Sequence, residues 1–193
     1  MNLGIDGLAR AKYPIIEALL RTIAIHRDVR QVNAFEKALF PQSGVDFKTD
    51  TEMELVFTEN KYGYNKPYKG GTAFKKHLFR VIGDLESAGE EFDCAVHIEL
   101  MPQVKSWARN TVKQPHSFWL QTSSDKFYPD FVALLNDGRY LIIEYKGSHI
   151  ASAEDAKEKL KIGELWADRS NDMCLFLMIE NREFSRIDKA ILI

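Results

Sequence analysis

The chain has 193 residues, of which 45% are apolar and 28% charged, and its formal net charge is −2. This composition excludes an intrinsically disordered chain, and the length suits one domain with a substantial hydrophobic core. So small a net charge also excludes a global basic field, although local patches rather than totals decide contacts with nucleic acid phosphates.

Cysteine usage and hydropathy predict a reduced, cytoplasmic setting. The two cysteines, Cys94 and Cys174, lie among apolar residues and show no CxxC or other metal-site spacing. They are therefore expected to be core thiols rather than parts of a disulfide or a zinc site. Neither a signal peptide nor an apolar run near the ~18 residues of a membrane span occurs, so we expect no export and no membrane contact.

The N-terminal region predicts helices without recognisable chemistry. Apolar residues recur at helical spacing over residues 15–23 after Pro14, and a second helical stretch covers residues 30–39. The composition then predicts a loop at 42–51 and a short strand at 53–58. We expect this region to serve in packing or as a linker.

The segment 61–80, KYGYNKPYKGGTAFKKHLFR, combines six basic residues with five aromatic ones and contains no acid. Cations among aromatic rings suit phosphate contacts and base stacking. The alternative is a solvated loop whose rings pack on the core. Lys69, Lys75 and Lys76 are candidate nucleic-acid-binding residues, and Lys126, on the connection to the central hairpin, is a further one.

Residues 83–100 predict a helix with apolar side chains on one face and glutamates elsewhere. Glu91 lies four residues before Ala95 and seven before Ile98, so its side chain belongs to the face that turns inward. The alternative is that Glu91 and its neighbour Glu90 are solvated helix acids.

Residues 104–110 predict a strand in which Lys105, Trp107 and Arg109 share one face. Two interpretations stay open. Either the Trp107 ring and its flanking cations lie along a DNA backbone, or they form a half-buried sheet edge. Lys105 and Arg109 are therefore candidate nucleic-acid-binding residues. A short strand at 117–121 follows.

Two apolar segments, residues 127–135 and 139–145, predict a β-hairpin whose loop is Asn136-Asp137-Gly138. Three-residue loops favour a type I turn followed by a left-handed residue, a conformation that Gly138 adopts without steric penalty. A two-residue loop would instead shift the register by one and turn the paired side chains to opposite faces.

The longer loop places Asp130 opposite Glu144, and the strand period of two puts Lys146 on the same face as Glu144. Two neighbouring carboxylates repel unless one is protonated or a cation lies between them. Magnesium suits such a pair because it prefers oxygen ligands and needs only one or two carboxylates. Lys146 could orient the attacking water or neutralise charge on a phosphate, as metal-assisted phosphodiester hydrolysis requires. The alternative is an edge hairpin with three surface charges, but Glu144 ends an apolar run in which an unpaired carboxylate is costly.

Residues 153–167 predict a helix on which Lys157, Lys159 and Lys161 lie off the apolar face; they are mostly solvated, and the alternative is that some of them meet phosphate. Residues 173–179 predict a continuous apolar strand, as in the buried centre of a sheet. A short tail follows. The element order is α-β-β-β-α-β, which predicts an α/β fold with a mixed central sheet flanked by helices. We expect this fold to occupy residues 51–193, after a helical N-terminal extension or linker at residues 1–50.

Pro129-Asp130 and Glu144-Tyr145-Lys146 resemble the signature of the PD-(D/E)XK nuclease superfamily. A wider resemblance, from about Phe57 to Ile179, is to the C-terminal endonuclease region of type III restriction enzyme Res subunits and related restriction helicases. The segments that carry it follow in matching order: Tyr68-Lys69-Gly70, Phe74-Lys75-Lys76-His77, Gly89-Glu90-Glu91-Phe92, Val104-Lys105-Ser106-Trp107-Ala108-Arg109-Asn110, Ser117-Phe118-Trp119-Leu120 and Ile162-Gly163-Glu164-Leu165-Trp166-Ala167.

This resemblance implies a restriction-endonuclease-like core and a Mg²⁺-dependent endodeoxyribonuclease in which Mn²⁺ can replace Mg²⁺. It implies a metal site and a catalytic set at residues already singled out: Asp130, Glu144, Tyr145 through its backbone carbonyl, and Lys146. A glutamate on the preceding helix would complete the site as a ligand and catalytic group, with Glu91 as the first candidate and Glu90 as the second.

By the same resemblance, the substrate is double-stranded DNA. The implied partners in a type III-like restriction system are an upstream helicase or ATPase region and a modification or specificity subunit. The chain has no GxxxxGK[ST] loop, so it is not itself the ATP-driven motor. Two alternatives stay open: a stand-alone DNA repair or recombination nuclease of the same superfamily, and a non-catalytic DNA-binding or assembly module.

Overall fold

The computed structural model describes the chain in three stretches: residues 12–39, 61–147 and 153–192. The chain divides into two compact units, which comprise Met1–Asp46 with Ser123–Asp125 and Phe47–Thr122 with Lys126–Ile193. The predicted domain boundary after residue 50 falls outside the described residues and stays a prediction.

The first unit contains one long helix, α1 (Lys12–Leu39), of 28 residues. Pro14 lies within its first turn, where no intrahelical N–H is needed. The two helical stretches predicted separately are therefore one helix, because residues 24–29 between them contain no glycine or proline that would stop it. The predicted loop at 42–51 and strand at 53–58 lie outside the described residues.

A mixed four-stranded sheet forms the centre of the second unit. The strands are, in chain order, β1 (Val104–Arg109), β2 (Leu120–Gln121), β3 (Lys126–Phe127), β4 (Phe131–Leu135), β5 (Tyr140–Tyr145) and β6 (Cys174–Ile179). The main sheet has the order β1-β4-β5-β6, in which β4 is antiparallel to both of its neighbours and β6 is parallel to β5. Strands β2 and β3 form a separate two-stranded ribbon.

The segment predicted as one strand at 127–135 is divided between β3 and β4. The break falls around Pro129, which has no N–H to donate to a strand ladder. Asp130 follows the break, and its carbonyl accepts a hydrogen bond from the N–H of Asn110 over 2.8 Å. Asp130 therefore stands immediately before β4 and still lies beside the end of β1.

Three helices complete the second unit: α2 (Glu90–Leu100), α3 (Ala153–Asp168) and α4 (Ser185–Ile191). Helix α2 begins later than the predicted start at residue 83, because Asp84 has a φ of 50° and Gly89 a φ of 109°. Asp84 instead organises a loop, since its carboxylate accepts hydrogen bonds from the N–H groups of Asn65 and Lys66. Helix α4 occupies the segment that was expected to be only a tail.

The main hydrophobic core lies between one face of the sheet and helices α2 and α4. Alternate residues of β4 and β5 meet buried residues of both helices there: Phe131, Ala133, Leu135, Leu141, Ile143, Cys94, Ala95, Ile98, Ile187 and Ile191. Helix α3 covers the opposite face. A Cβ on Gly163 would lie 2.3 Å from the ring of Phe176, so the absence of a side chain permits this close approach of α3 to β6.

Among the described residues, β6 is an outer strand of the sheet, which corrects the prediction of a central position. Its continuous apolar sequence has another cause: α3 packs on one face of the strand and α4 on the other. A continuous apolar sequence therefore indicates that both faces of a strand are covered. It does not indicate whether the strand has a neighbouring strand on both sides.

The order α2-β1-β4-β5-α3-β6 confirms the predicted α/β fold with a mixed central sheet and helices. Cys94 is fully buried and Cys174 half-buried, and both are free thiols. In the described part of the chain, no helix combines the length and the apolar character that crossing a membrane requires.

Candidate functional site

The central hairpin has the predicted register. Gly138 has a φ of 93°, as the left-handed third residue of the loop requires. Phe131 pairs with Ile143. Asp130, one residue before this pair on one strand, therefore lies opposite Glu144, one residue after it on the other.

Charged residues converge at one end of the sheet. Because β4 is antiparallel to both neighbours, its first residues lie beside the last residues of β1 and β5. Asp130 precedes β4, Glu144 lies near the end of β5, and Arg109 ends β1. Glu91 reaches the same place from the first turn of α2.

Asp130 and Glu144 lie side by side across β4 and β5, and each side chain is only 15% exposed. Burial, reinforced by the charge of Asp130, raises the pKa of Glu144 to about 9, although Lys159 acts in the opposite direction. Glu144 therefore keeps its proton at neutral pH. The backbone N–H of Tyr145 donates to Oδ2 of Asp130 over 2.7 Å. The two acids thus meet at a place where a cation could stand.

Arg109 lies between Asp130 and Glu91. Its Nη1 is 2.6 Å from Oδ1 of Asp130, and its Nη2 is 2.5 Å from Oε2 of Glu91. Burial disfavours the charge of Arg109, but the two carboxylates more than compensate and raise its pKa. The expected place of Arg109 on a nucleic-acid-binding surface does not fit this geometry, because its side chain is 8% exposed and occupied by two acids.

A β-bulge explains why Arg109 and Trp107 differ from expectation. The register between β1 and β4 shifts near the start of β1, so that Lys105 stays exposed while Trp107 and Arg109 turn inward. Trp107 is 1% exposed, and its Nε1 donates to Glu99 over 2.8 Å. Trp107 is therefore a core residue. Its position fits neither of the two interpretations, a ring that lies along DNA or a half-buried sheet edge.

The two glutamates at the start of α2 face different partners. Glu91 reaches Arg109 and, through it, Asp130. Burial first, and then the charge of Asp130, raise the pKa of Glu91, whereas Arg109 lowers it. Glu90 instead lies 3.6 Å from Arg182. Of the two predicted candidates, the geometry therefore favours Glu91.

Two lysines have different relations to Glu144. Lys146 follows Glu144 by two residues, but its Nζ is 3.4 Å from a carboxylate oxygen of Glu180. Lys159, on α3, has its Nζ 3.9 Å from Oε1 of Glu144 and 3.0 Å from Oδ2 of Asp155. The ammonium that faces Glu144 is therefore that of Lys159, and that of Lys146, the predicted lysine, faces Glu180.

The sequence analysis places Lys159 away from the apolar face of its helix and Arg109 at the sheet surface or edge, and the structure differs at both residues for separate reasons. A signal for Lys159 exists: it lies three residues after Ala156 and four before Gly163, both buried, and so on the helix face that meets the sheet. The sequence contains no comparable signal for Arg109, because the pattern of apolar residues does not reveal the bulge that turns its side chain inward.

Most rings of the basic segment 61–80 are buried or half-buried, whereas most of its cations are exposed. Tyr62 stacks on Phe79 with 4.2 Å between ring centroids, and Tyr68 and Phe74 pack against the main core. The lysines lie mostly at the surface. The rings therefore pack as the second interpretation expects, and the contact of the cations with phosphate stays a prediction.

The predicted nucleic-acid-binding lysines divide into two groups. Four of them are exposed: Lys69, Lys75, Lys105 and Lys126. Lys76 is half-buried, and its Nζ donates to the carbonyl of Met101 over 2.5 Å. Glu99 accepts hydrogen bonds from the backbone N–H groups of Lys75 and Lys76, which ties this part of the segment to α2.

Within the stretches that the structure describes, no three His, Cys, Asp or Glu side chains are arranged as a metal-binding group. Asp130 and Glu144 form a pair, and Arg109 stands between this pair and Glu91. Magnesium needs only one or two protein carboxylates and fills its remaining positions with water. The pair is therefore sufficient in number and in chemistry for such an ion.

Comparison of the chain with protein-family models, with curated proteins and with solved structures gives no match. A function for this chain therefore has to follow from the residues that meet at this end of the sheet.

Proposed function

We propose that the chain is a magnesium-dependent endodeoxyribonuclease that hydrolyses phosphodiester bonds in double-stranded DNA. The observation that carries the proposal is the meeting of Asp130 and Glu144 at a sheet end, with Lys146 immediately after β5 and Lys159 on α3. Half-buried acids at such short range are unfavourable without a cation, since each disfavours the ionisation of the other.

The acid pair fits a magnesium ion. In the metal-free protein Glu144 keeps a proton that compensates for the charge of Asp130, and a divalent cation would take over this role. Asp130, Glu144 and the backbone carbonyl of Tyr145 would hold the ion, and Glu91 would contribute after a rearrangement at Arg109. When bound, magnesium supplies Lewis-acid stabilisation of the charge that develops on the phosphate.

The strand position and exposure of Lys146 support a catalytic role for the lysine of the motif. Lys146 projects from the same strand face as Glu144, and its side chain is 35% exposed. Its partner Glu180 is itself 46% exposed, and such an ion pair contributes little free energy. Lys146 can therefore leave Glu180 at little cost, orient the attacking water and neutralise charge on the phosphate.

The exposed lysines supply candidate contacts to the DNA backbone. Lys69, Lys75, Lys105 and Lys126 keep their cationic groups at the surface, where they can meet phosphates. We leave Arg109 and Lys76 out of this set, because both cationic groups already serve internal hydrogen bonds.

The resemblance of the motifs extends the proposal to a cellular system. We place the chain in a type III-like restriction system, as a restriction-endonuclease-like domain that works with a helicase or ATPase region and a modification or specificity subunit. The mixed sheet and the α-β-β-β-α-β order support this assignment. A stand-alone repair or recombination nuclease would use the same site. We propose a cytoplasmic location, since the proposed DNA substrate is found there.

One observation favours a second candidate, a non-catalytic DNA-binding or assembly module. Arg109 neutralises Asp130 and Glu91 inside the protein, and the described residues contain no three-acid metal group. In that case the converging charges serve only to hold β1, β4 and α2 together.

Cleavage of plasmid DNA separates the two candidates. Purified wild-type chain should nick and linearise plasmid in Mg²⁺ or Mn²⁺ and do neither in EDTA, and Asp130→Asn should abolish the activity. Asp137→Asn is the matched control, because Asp137 is an exposed aspartate in the loop of the same hairpin. We expect this variant to cleave at the wild-type rate.

Metal binding provides a second, independent readout. Calorimetric titration with Mg²⁺ should show saturable binding to the wild-type chain and much weaker binding to Glu144→Ala. If the wild-type chain binds DNA but shows neither cleavage nor saturable metal binding, the non-catalytic module is the correct function.

A further inference from the structure

Lys159 belongs to the same end of the molecule as the acid pair, although it comes from a different layer. Helix α3 covers the sheet face to which Glu144 points, and the Nζ of Lys159 is 3.9 Å from Oε1 of Glu144. Its ammonium also lies 5.3 Å from the centre of the Phe127 ring. The Lys159 ammonium thus lies beside the Phe127 ring and near the two carboxylates.

The contacts of Lys159 leave its ammonium available to a ligand. Its distance to Glu144 exceeds that of a hydrogen bond, and its closer partner is Asp155 at 3.0 Å, one helical turn earlier. Asp155 has a 45% exposed side chain and Lys159 a 26% exposed one. An ion pair between a half-buried lysine and an exposed aspartate one helical turn apart is weak, so Lys159 can exchange Asp155 for a better anion.

A phosphate group is the anion that this place suits. The acid pair would hold a divalent cation, and Lys146 approaches from the strand end. Lys159 adds a second ammonium, carried by α3, at the sheet face on which Glu144 lies. A DNA strand that brings one phosphate to the cation necessarily brings its neighbouring phosphates along the protein surface beside it.

We propose that Lys159 is a DNA-phosphate-binding residue of this site, whose ammonium leaves Asp155 and contacts a backbone phosphate next to the bond that is cut. The inference rests on the proposed nuclease function and adds a residue outside the sequence motif. Lys159 takes part in no bond making or breaking. It fixes the strand relative to Asp130 and Glu144.

The salt dependence of DNA binding tests this role directly. Binding of a short fluorescent duplex is measured by anisotropy in EDTA, so that no cleavage intervenes, over a series of salt concentrations. Loss of one phosphate contact should lower the slope of log K against log salt by about one for Lys159→Met. Lys159→Arg, which keeps the charge, should retain the wild-type slope.

Lys157→Met is the matched control, because Lys157 is an exposed lysine on the same helix that points away from the acid pair. This variant should keep the wild-type slope. In Mg²⁺, kcat/KM for cleavage should fall by about 10- to 100-fold for Lys159→Met and stay unchanged for Lys157→Met. Thermal melting checks that each variant is folded.

The outcomes separate this inference from the proposed function. If Lys159→Met is folded and shows the wild-type salt slope, the phosphate contact does not exist, whether or not the protein cleaves DNA. If the wild-type chain binds DNA with the predicted difference in slope but cleaves nothing in Mg²⁺ or Mn²⁺, the nuclease proposal fails while the phosphate contact stands. Absence of any DNA binding overturns both.

Discussion

Asp130 and Glu144 are neighbours across β4 and β5, but their surroundings differ in kind. Both oxygens of Asp130 accept hydrogen bonds, one from Nη1 of Arg109 at 2.6 Å and the other from the N–H of Tyr145 at 2.7 Å. Glu144 has the ammonium of Lys159 only at 3.9 Å, and burial raises its pKa to about 9. Donors of the fold hold the oxygens of Asp130, whereas burial keeps Glu144 neutral.

This contrast separates stability from reactivity. The donors to Asp130 belong to the ends of β1 and β5, so its two oxygens already have partners without a ligand. Glu144 can ionise only if a cation arrives, because a second buried negative charge beside Asp130 is unfavourable. The half of the site around Asp130 therefore stabilises the fold, and the half around Glu144 responds to a ligand.

Removal of Arg109 should destabilise the half of the site around Asp130. We expect Arg109→Met to lower the free energy of unfolding by about 3–5 kcal/mol, because it leaves Asp130 buried without its cation. Urea denaturation measures the change. Lys105→Met is the control on the same strand, and it should change stability by less than about 0.5 kcal/mol, since Lys105 is exposed. Equal effects of the two substitutions would contradict the structural role of Arg109.

Neutralisation of Glu144 should have the opposite effect and raise the free energy of unfolding. The pKa of Glu144 in the metal-free folded protein, about 9, lies above its ordinary value of 4.5. Its contribution to stability is therefore complete below pH 4.5 and is lost as the pH rises through about 9. Glu144→Gln lacks this loss and should be more stable than the wild type at pH 8, by about 1–3 kcal/mol.

Chemical denaturation in EDTA over a pH series measures this difference. The advantage of Glu144→Gln should shrink toward acid pH and grow toward alkaline pH. Added Mg²⁺ should stabilise the wild type and not the variant, because only an ionised Glu144 gains a partner. A Glu144→Gln variant that is less stable than the wild type at every pH would show that Glu144 is ionised and paired in the metal-free protein.

Glu91 should contribute less than Arg109 to the free energy of unfolding. Its side chain is 47% exposed, and Arg109 retains Asp130 when Glu91 is neutralised. Glu91→Gln is therefore expected to cost about 1 kcal/mol in urea denaturation. Glu86→Gln is a suitable control, because Glu86 is exposed and lies before the start of α2. A loss as large as that of Arg109→Met would mean that Glu91, and not Asp130, is the main partner of the arginine.

Lys146 should show the smallest effect on stability and a large one on function. Its ion pair with Glu180 is exposed on both sides, so Lys146→Met should change the free energy of unfolding by less than about 0.5 kcal/mol. DNA cleavage in Mg²⁺ should nevertheless fall by about 100-fold or more, because the group that orients water and neutralises phosphate charge is lost. A variant with normal cleavage would remove Lys146 from the site.

The parts of this site that the sequence predicts are those with a local rule. The register of the hairpin follows from the loop length and from Gly138, and it places Asp130 opposite Glu144. Helix spacing contains a signal for Lys159. The inward turn of Arg109 depends on a bulge in β1, and bulges follow from how two strands pair rather than from either sequence alone.

The same limit explains the errors in the fold. The start of α2 is set by the left-handed conformations of Asp84 and Gly89, and that of Asp84 is supported by hydrogen bonds to a distant loop. The outer position of β6 could not be read from its apolar run, since covered faces and strand neighbours produce the same pattern. Long-range partners decide both features.

The most direct test of the metal site is a crystal soaked in Mn²⁺ and examined by anomalous scattering. We expect a peak between Asp130 and Glu144, about 2.2 Å from a carboxylate oxygen of each. A metal bound at other carboxylates, or no peak between Asp130 and Glu144, would contradict the central claim.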